Sequence, residues 1–322
     1  MPQTIPQTML AAAIDRFGGP EMLTLHEVPV PEVGPDEILI EVESAGVGTW
    51  DPAEREGELA SMMEVEPHFP YVCGSDGAGT VVAVGEEAKD VRVGDRVYAA
   101  SFLGPKGGFY AEYAVAKAEN VAPIPAPLPT EQAGAMPIDA LTALTGLDEA
   151  LALQPGETVM IIGASGGVGH LAVQVAKRMG ARVLAVASGP DGVALAERLG
   201  ADRAVDGRRD DVLAAARRFA PDGLDAALVT AAGADEALDA VRDGGRVAYP
   251  HGVEPVPTAR PTVRVIAYDG RFDRPHMDEL NRLIAAGPFE VVVSRTYDLD
   301  HAADAHRAIG AHHLGKLALH VA

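Results

Sequence analysis

The 322-residue chain carries 47 acidic against 26 basic residues, a formal net charge of −21, with 48% hydrophobic and 5% aromatic residues. So acidic a surface repels phosphate backbones, which argues against a nucleic-acid partner, and the apolar content argues against disorder. The single cysteine allows neither an internal disulfide nor a four-thiolate zinc site, and no apolar run approaches the ~20 residues of a membrane span, so a cytoplasmic protein without a membrane partner is expected.

The opening stretch "MPQTIPQTMLAAAIDRF" lacks a charged segment followed by a long apolar one, the pattern of a secretory leader. From Met9 to about Val121 short apolar runs, "LTLHEVPV", "EILIEVESAGV", "GTVVAVG" and "DRVYAA", alternate with Gly, Pro and Asp, predicting a compact β-rich domain over residues 1–122. The proline-rich "APIPAPLP" marks the expected boundary, and beyond it strands alternate with amphipathic helices over 123–270, the pattern of a doubly wound parallel α/β sheet of the Rossmann type. In "ETVMIIGASGGVGHLAVQVAKRMGARVLAVAS" a buried strand (Thr158–Ile162) runs into a glycine-rich turn, a helix from about Gly167, and a second strand (Arg182–Ala187). Gly166 and Gly169 hold the second and third positions of G-x-G-x-x-G, Ala164 stands in the first, and Gly163 precedes it. Such a turn at a helix N-terminus brings backbone N–H groups to a pyrophosphate, so Gly163, Ala164, Ser165, Gly166, Gly167, Val168 and Gly169 are the predicted dinucleotide cradle.

Where NAD-binding sites place a carboxylate at the end of the second strand, this chain has Ser188. That leaves room for a 2′-phosphate and favours NADPH, with NADH possible, and Arg208 with Arg209 is the candidate clamp for the phosphate or simply a solvated pair. Further strands over Asp225–Thr230, Gly245–Gly252 and Val263–Asp269 place Gly233 and Pro250, His251 and Gly252 at carboxyl ends, where ligands of open α/β sheets lie. His251 is read either as a hydrogen-bond donor to the coenzyme or as a packing residue. The strand "VRVIAYD" is expected at the sheet edge, where open backbone groups invite a second copy, so a homodimer is expected.

The stretches "AGVGTWDPAEREG" (45–57), "GSDGAGTVVAVGEEAKDVRVGDRVYA" (74–99), "GGFYAEYAVAKAENVAPIPAPLPTEQAGAMPIDALTALTGL" (107–147), "GASGGVGHLAVQVAKRMGARVLAVAS" (163–188), "LGAD" (199–202) and "GKLALHV" (315–321) run nearly end to end. Together they resemble the medium-chain dehydrogenase/reductase superfamily, in particular its zinc-independent quinone oxidoreductase branch. The resemblance implies a GroES-like β-rich catalytic domain, residues 1–122 with 271–322, into which the Rossmann domain is inserted. It also places Thr142 where the family touches the nicotinamide.

Zinc-bearing relatives have a cysteine where this chain has Gly48 and a histidine followed by glutamate where it has Ser75 and Asp76; the resemblance therefore implies no metal. Cys73 lies in an apolar run and reads as a packed, inert thiol, and the histidines 301, 306, 312 and 313 read as surface groups. Without a metal to stabilise an alkoxide, the plausible small-molecule acceptors are quinones and α,β-unsaturated carbonyls, whose reduction spreads charge over a conjugated system. Residues of the substrate side are Trp50, a stacking surface or a core anchor; Asp51, expected to order its own turn; and Tyr71, a proton donor or a packing residue. An enoyl-thioester reductase and a non-enzymatic nucleotide-binding protein are the alternatives.

Overall fold

A computed structural model describes residues 4–233 and 235–321. In chain order the elements are β1 (Thr8–Ile14), β2 (Thr24–Pro29), β3 (Glu37–Val47), α1 (Asp51–Glu56), α2 (Glu58–Met62), β4 (Tyr71–Val72), β5 (Asp76–Val84), β6 (Arg96–Ala100), β7 (Tyr113–Lys117), β8 (Val121–Pro123), α3 (Thr130–Ala135) and α4 (Pro137–Thr145). They continue as β9 (Thr158–Ile162), α5 (Gly167–Arg178), β10 (Arg182–Ala187), α6 (Gly189–Arg198), β11 (Arg203–Asp206), α7 (Val212–Phe219), β12 (Leu224–Val229), β13 (Val241–Pro250) and β14 (Arg264–Tyr268). Last come α8 (Arg274–Ala285), β15 (Val293–Asp298), α9 (Ala302–Ala308) and β16 (Lys316–His320).

The chain forms two units: one runs to Ile138 and takes in Phe272–Asn281 and the chain from Val293, the other is Asp139–Arg271 with Arg282–Val292. In the first, a seven-stranded sheet runs β15-β16-β3-β5-β6-β8 with β7 also on β3, beside a three-stranded sheet β2-β1-β4. The central β3 alternates little: Ile38, Leu39, Ile40 and Val42 are all buried in the core of this unit, because both of its edges and both of its faces are covered. Residues from β15 on return to this sheet, with β16 pairing antiparallel to β3, Leu317 opposite Val47.

The second unit is an all-parallel sheet in the order β11-β10-β9-β12-β13-β14, the doubly wound order of dinucleotide-binding folds. Its central strand β9 is buried at every position, as a parallel strand with helices on both faces must be. Its core joins Met160, Leu184, Val186, Ala227 and Val247. β14 ends the sheet, the edge position expected from the sequence.

The expected boundary after Ala122 shifts. Helix α3 belongs to the first unit: Ser44 Oγ on β3 donates to the Glu131 carbonyl at 3.4 Å, and Thr296 Oγ1 on β15 donates to the Glu131 carboxylate at 2.5 Å. The second boundary shifts as well, since Arg282–Val292 packs on α5 of the nucleotide unit. Gln174 on α5 exchanges two 2.8 Å hydrogen bonds with the backbone of Glu290. A proline-rich stretch marks where a chain stops being regular, not which core it then joins.

Candidate functional site

At the carboxyl end of β9 the chain turns into α5 through residues 163–166. Gly163 has φ +85°, and a Cβ there would lie 2.5 Å from Thr230 Oγ1. The tight turn thus falls on Gly163, not on the buried Ala164 that occupies the first motif position. Both Gly163 and Ala164 donate their N–H groups to the Val186 carbonyl on β10 at 3.0 Å. A Cβ on Gly169 would come within 2.0 Å of the Gly163 carbonyl oxygen, so helix and strand meet backbone to backbone. Gly166, the residue before α5, meets only the Gly163 oxygen, 3.5 Å from where its Cβ would be. That open face sits at the N-terminus of a twelve-residue helix with no acidic residue in its first turn, the chemistry a pyrophosphate requires. Gly167 and Val168 begin the helix half-exposed, and Ser165 is buried with its Oγ accepting the Ser188 N–H at 3.4 Å. The buried His170 secures the turn from below. Its Nε2 accepts the Val292 N–H at 3.1 Å, so Nδ1 carries the proton and donates to the Gly166 carbonyl at 2.9 Å.

Ser188 is the residue before α6 at the end of β10, half-exposed and with no side-chain bond to the helix. A carboxylate that sequence spacing missed lies next to it: Asp206, the last residue of β11 and opposite Ala187 in the ladder. It accepts the N–H groups of Arg208 and Gly189 at 3.0 and 3.1 Å; these two backbone bonds hold its pKa below the ordinary carboxylate value. Arg209 lies 3.9 Å from it. The Arg208 side chain is exposed and makes no hydrogen bond or ion pair among the described residues. Gly233 is exposed with φ +97°. Pro250 closes β13, followed by exposed His251 and Gly252; the His251 ring is paired with Asp269 at 2.8 Å. Thr142 is 8% exposed and its carbonyl accepts the Tyr268 hydroxyl at 3.1 Å.

The substrate-side residues lie in the first unit, Trp50 and Asp51 where the turn from β3 enters α1 and Tyr71 at the start of β4. Trp50 is half-buried against that unit's core at the start of α1. Asp51 is buried and its Oδ2 accepts the Gly48 N–H at 2.8 Å, the turn-ordering bond expected of it. Tyr71 does not face solvent: it is 4% exposed and its hydroxyl donates at 2.9 Å to Glu54, so the structure gives it an interior partner in place of a proton-donor position. Burial, then the Glu54 charge, push its pKa far up. Glu54 itself is 1% exposed and also accepts the Gly74 N–H at 2.9 Å; burial foremost, then the neighbouring Asp51 charge, raise its pKa from 4.5 to about 7. Cys73 is a fully buried free thiol whose pKa burial pushes well up.

At the three positions compared with metal-binding relatives, Gly48 offers no ligand atom, and the place of a Cβ on it lies 3.4 Å from Nζ of Lys316, which is 3% exposed. Ser75 Oγ is buried without a hydrogen-bond partner among the described residues, and Asp76 accepts the Ile138 N–H at 3.1 Å. Of the four C-terminal histidines read as surface groups, His301 and His312 are exposed and His313 half-buried, but His306 is buried at 4%. No helix among the described residues is long and apolar enough to cross a membrane.

A doubly wound nucleotide unit carrying an open glycine turn, with a GroES-like β unit formed from both ends of the chain, defines an oxidoreductase architecture. Residues 34–126 match the alcohol dehydrogenase GroES-like domain, and residues 167–267 match the zinc-binding dehydrogenase family. The chain is 32% identical over 321 residues to an alcohol dehydrogenase of Rhizobium meliloti, covering 90% of this chain and 92% of that protein. It is 32% identical over 243 residues to the quinone oxidoreductase of Homo sapiens, covering 74% and 72%. A mycobacterial structure complexed with NADPH superposes with a TM-score of 0.83 at 29% identity, covering 97% of this chain and all of that one. The chain belongs to the medium-chain dehydrogenase/reductase superfamily, on its quinone oxidoreductase-like side.

Proposed function

We propose that this oxidoreductase reduces a quinone or an α,β-unsaturated carbonyl with NADPH, without zinc. The observation that carries the reading is the donor set at 48, 75 and 76: a glycine with no ligand atom, a hydroxyl and one carboxylate already holding a backbone N–H. Zinc prefers thiolate and imidazole, and a glycine, a hydroxyl and a single carboxylate supply neither. A conjugated acceptor tolerates that absence because its added charge is delocalised. When bound, the nicotinamide supplies a hydride, two electrons, to the acceptor, and one proton from solvent completes the product. The protein's own part is positioning: Gly166 with the α5 N-terminus holds the pyrophosphate, Ser188 and the free Arg208 guanidinium accept the 2′-phosphate, and the Gly48–Asp51 turn takes the acceptor ring against Trp50.

The relative named alcohol dehydrogenase supports a second reading, zinc-dependent alcohol oxidation. Both are tested by mixing the protein with NADPH and 1,4-benzoquinone, or with NAD(P)⁺ and simple alcohols, while following nicotinamide absorbance and measuring bound zinc. Turnover of quinone by zinc-free protein is the expected result; stoichiometric zinc with activity confined to alcohols refutes the proposal.

A further inference from the structure

Behind the Gly48–Asp51 turn runs a row of buried polar side chains. Arg55 on α1, 2% exposed, places Nη1 2.8 Å from Nδ1 of His306 on α9. A guanidinium only donates, so Nδ1 carries the lone pair and the imidazole proton is on Nε2. Nε2 lies 3.2 Å from the Tyr110 hydroxyl, which lies 2.6 Å from Asp51 Oδ2. With Nε2–H donating to the tyrosine oxygen, the tyrosine proton points at Asp51, and the same carboxylate oxygen accepts the Gly48 N–H at 2.8 Å. From Arg55 to Asp51 every donor points the same way. The two rings in the row stay uncharged near neutral pH: burial and then Arg55 push the His306 pKa down to about 3, and burial raises that of Tyr110.

We propose that His306 is a positioning residue for the acceptor: through Tyr110 and Asp51 it fixes the direction of the hydrogen bonds that hold the Gly48–Asp51 turn, and with it the ring of Trp50, in one conformation. The proposal rests on the hydride-transfer reading only in taking the turn's occupant to be the acceptor. His306 itself touches neither acceptor nor coenzyme. It comes from the segment that returns after the nucleotide unit and stands 251 residues from Arg55, so the returning segment sets the order of a turn made near the start of the chain. A row needed only to fill space would serve equally with its hydrogen bonds removed and its shape kept, which gives the test.

Trp50 is the only tryptophan, so its emission reports on this turn alone. Tyr110→Phe keeps the ring, which packs edge-on to His306 at 5.7 Å, and removes the relay. His306→Leu removes both bonds of the imidazole, while His306→Gln restores the polarity with an amide oxygen toward Arg55 and an amide N–H toward Tyr110. In Tyr110→Phe and His306→Leu we expect acrylamide quenching of Trp50 to rise twofold or more and kcat/KM for benzoquinone to fall about tenfold. The NADPH dissociation constant stays unchanged, and His306→Gln recovers most of both losses. Wild-type Trp50 quenching and benzoquinone KM in a folded Tyr110→Phe protein overturn the proposal, as does a His306→Gln protein that behaves like His306→Leu. If His306→Leu does not fold, judged by circular dichroism, Tyr110→Phe decides. A wild-type protein inactive with every quinone and enone refutes the functional reading, whereas the Trp50 measurement still decides the role of the row.

Discussion

Glu54→Gln isolates the cost of a carboxylate whose proton is held by burial. Glu54 is 1% exposed and its pKa rises from 4.5 to about 7, through burial first and the Asp51 charge second. Below pH 4.5 it is protonated both folded and unfolded, and contributes no pH dependence. Between 4.5 and about 7 the folded state holds a proton that the unfolded chain has released, so raising the pH favours unfolding, and above about 7 the loss is complete. Each pH step across that window removes about 1.4 kcal/mol, which sums to roughly 3 kcal/mol. The glutamine amide takes the same space: its oxygen accepts the Gly74 N–H and its nitrogen donates to the Tyr71 oxygen, so the neutral side chain keeps its partners without the titration. Urea unfolding of both proteins from pH 4.5 to 8.5 is the assay, with the difference between them plotted against pH. Glu54→Gln should gain on the wild type by roughly 3 kcal/mol over the window, or several degrees in Tm at about 2–4 °C per kcal/mol. Parallel stability curves for the two proteins between pH 4.5 and 8.5 refute the argument, since they mean Glu54 is ionised and solvated when folded.

Gly166→Ala should keep the wild-type Tm, because its Cβ meets only an oxygen at 3.5 Å, yet weaken NADPH binding at least tenfold in equilibrium dialysis; unchanged binding would move the pyrophosphate elsewhere. Gly169→Ala, with its Cβ 2.0 Å from the Gly163 oxygen, should instead lower Tm, by several degrees in a thermal scan, as well as binding. Arg208→Ala should raise the Kd of NADPH about tenfold and leave that of NADH within twofold, measured by coenzyme fluorescence, whereas equal effects on both remove the guanidinium from the 2′-phosphate. The edge strand β14, with Val265 37% exposed, should pair with that of a second copy, and sedimentation of a monomer at micromolar concentration would contradict this.

How much of this was legible in the sequence depended on whether a residue's task is set locally. The glycine turn was readable because Gly163 and Gly169 answer to backbone geometry within a few residues, a positive φ and a 2.0 Å approach. Even there the tight turn belongs to Gly163, one position before the motif would put it. The carboxylate of Asp206 was missed because its place beside Ser188 comes from the pairing of β11 with β10, which spacing along one strand does not display. The α3 boundary was misplaced for the same reason: Glu131 is bound by Ser44 and Thr296, both distant in sequence.

The charged segment "DPAERE" gives the sharpest contrast. Of its four ionisable residues only Asp51 is assigned a structural task from the sequence, yet Glu54 and Arg55 are buried beside it. Burying ionised groups is unfavourable unless each finds partners, so the partners had to be present elsewhere in the chain: Tyr71 and Gly74 for Glu54, Tyr110 and Gly48 for Asp51, Gly18 and His306 for Arg55. No periodicity in the local sequence announces such a set, because its members come from five separate stretches. A buried row of this kind fixes geometry and tolerates few substitutions, which suits the proposed task of this turn, presenting one aromatic face to a flat acceptor.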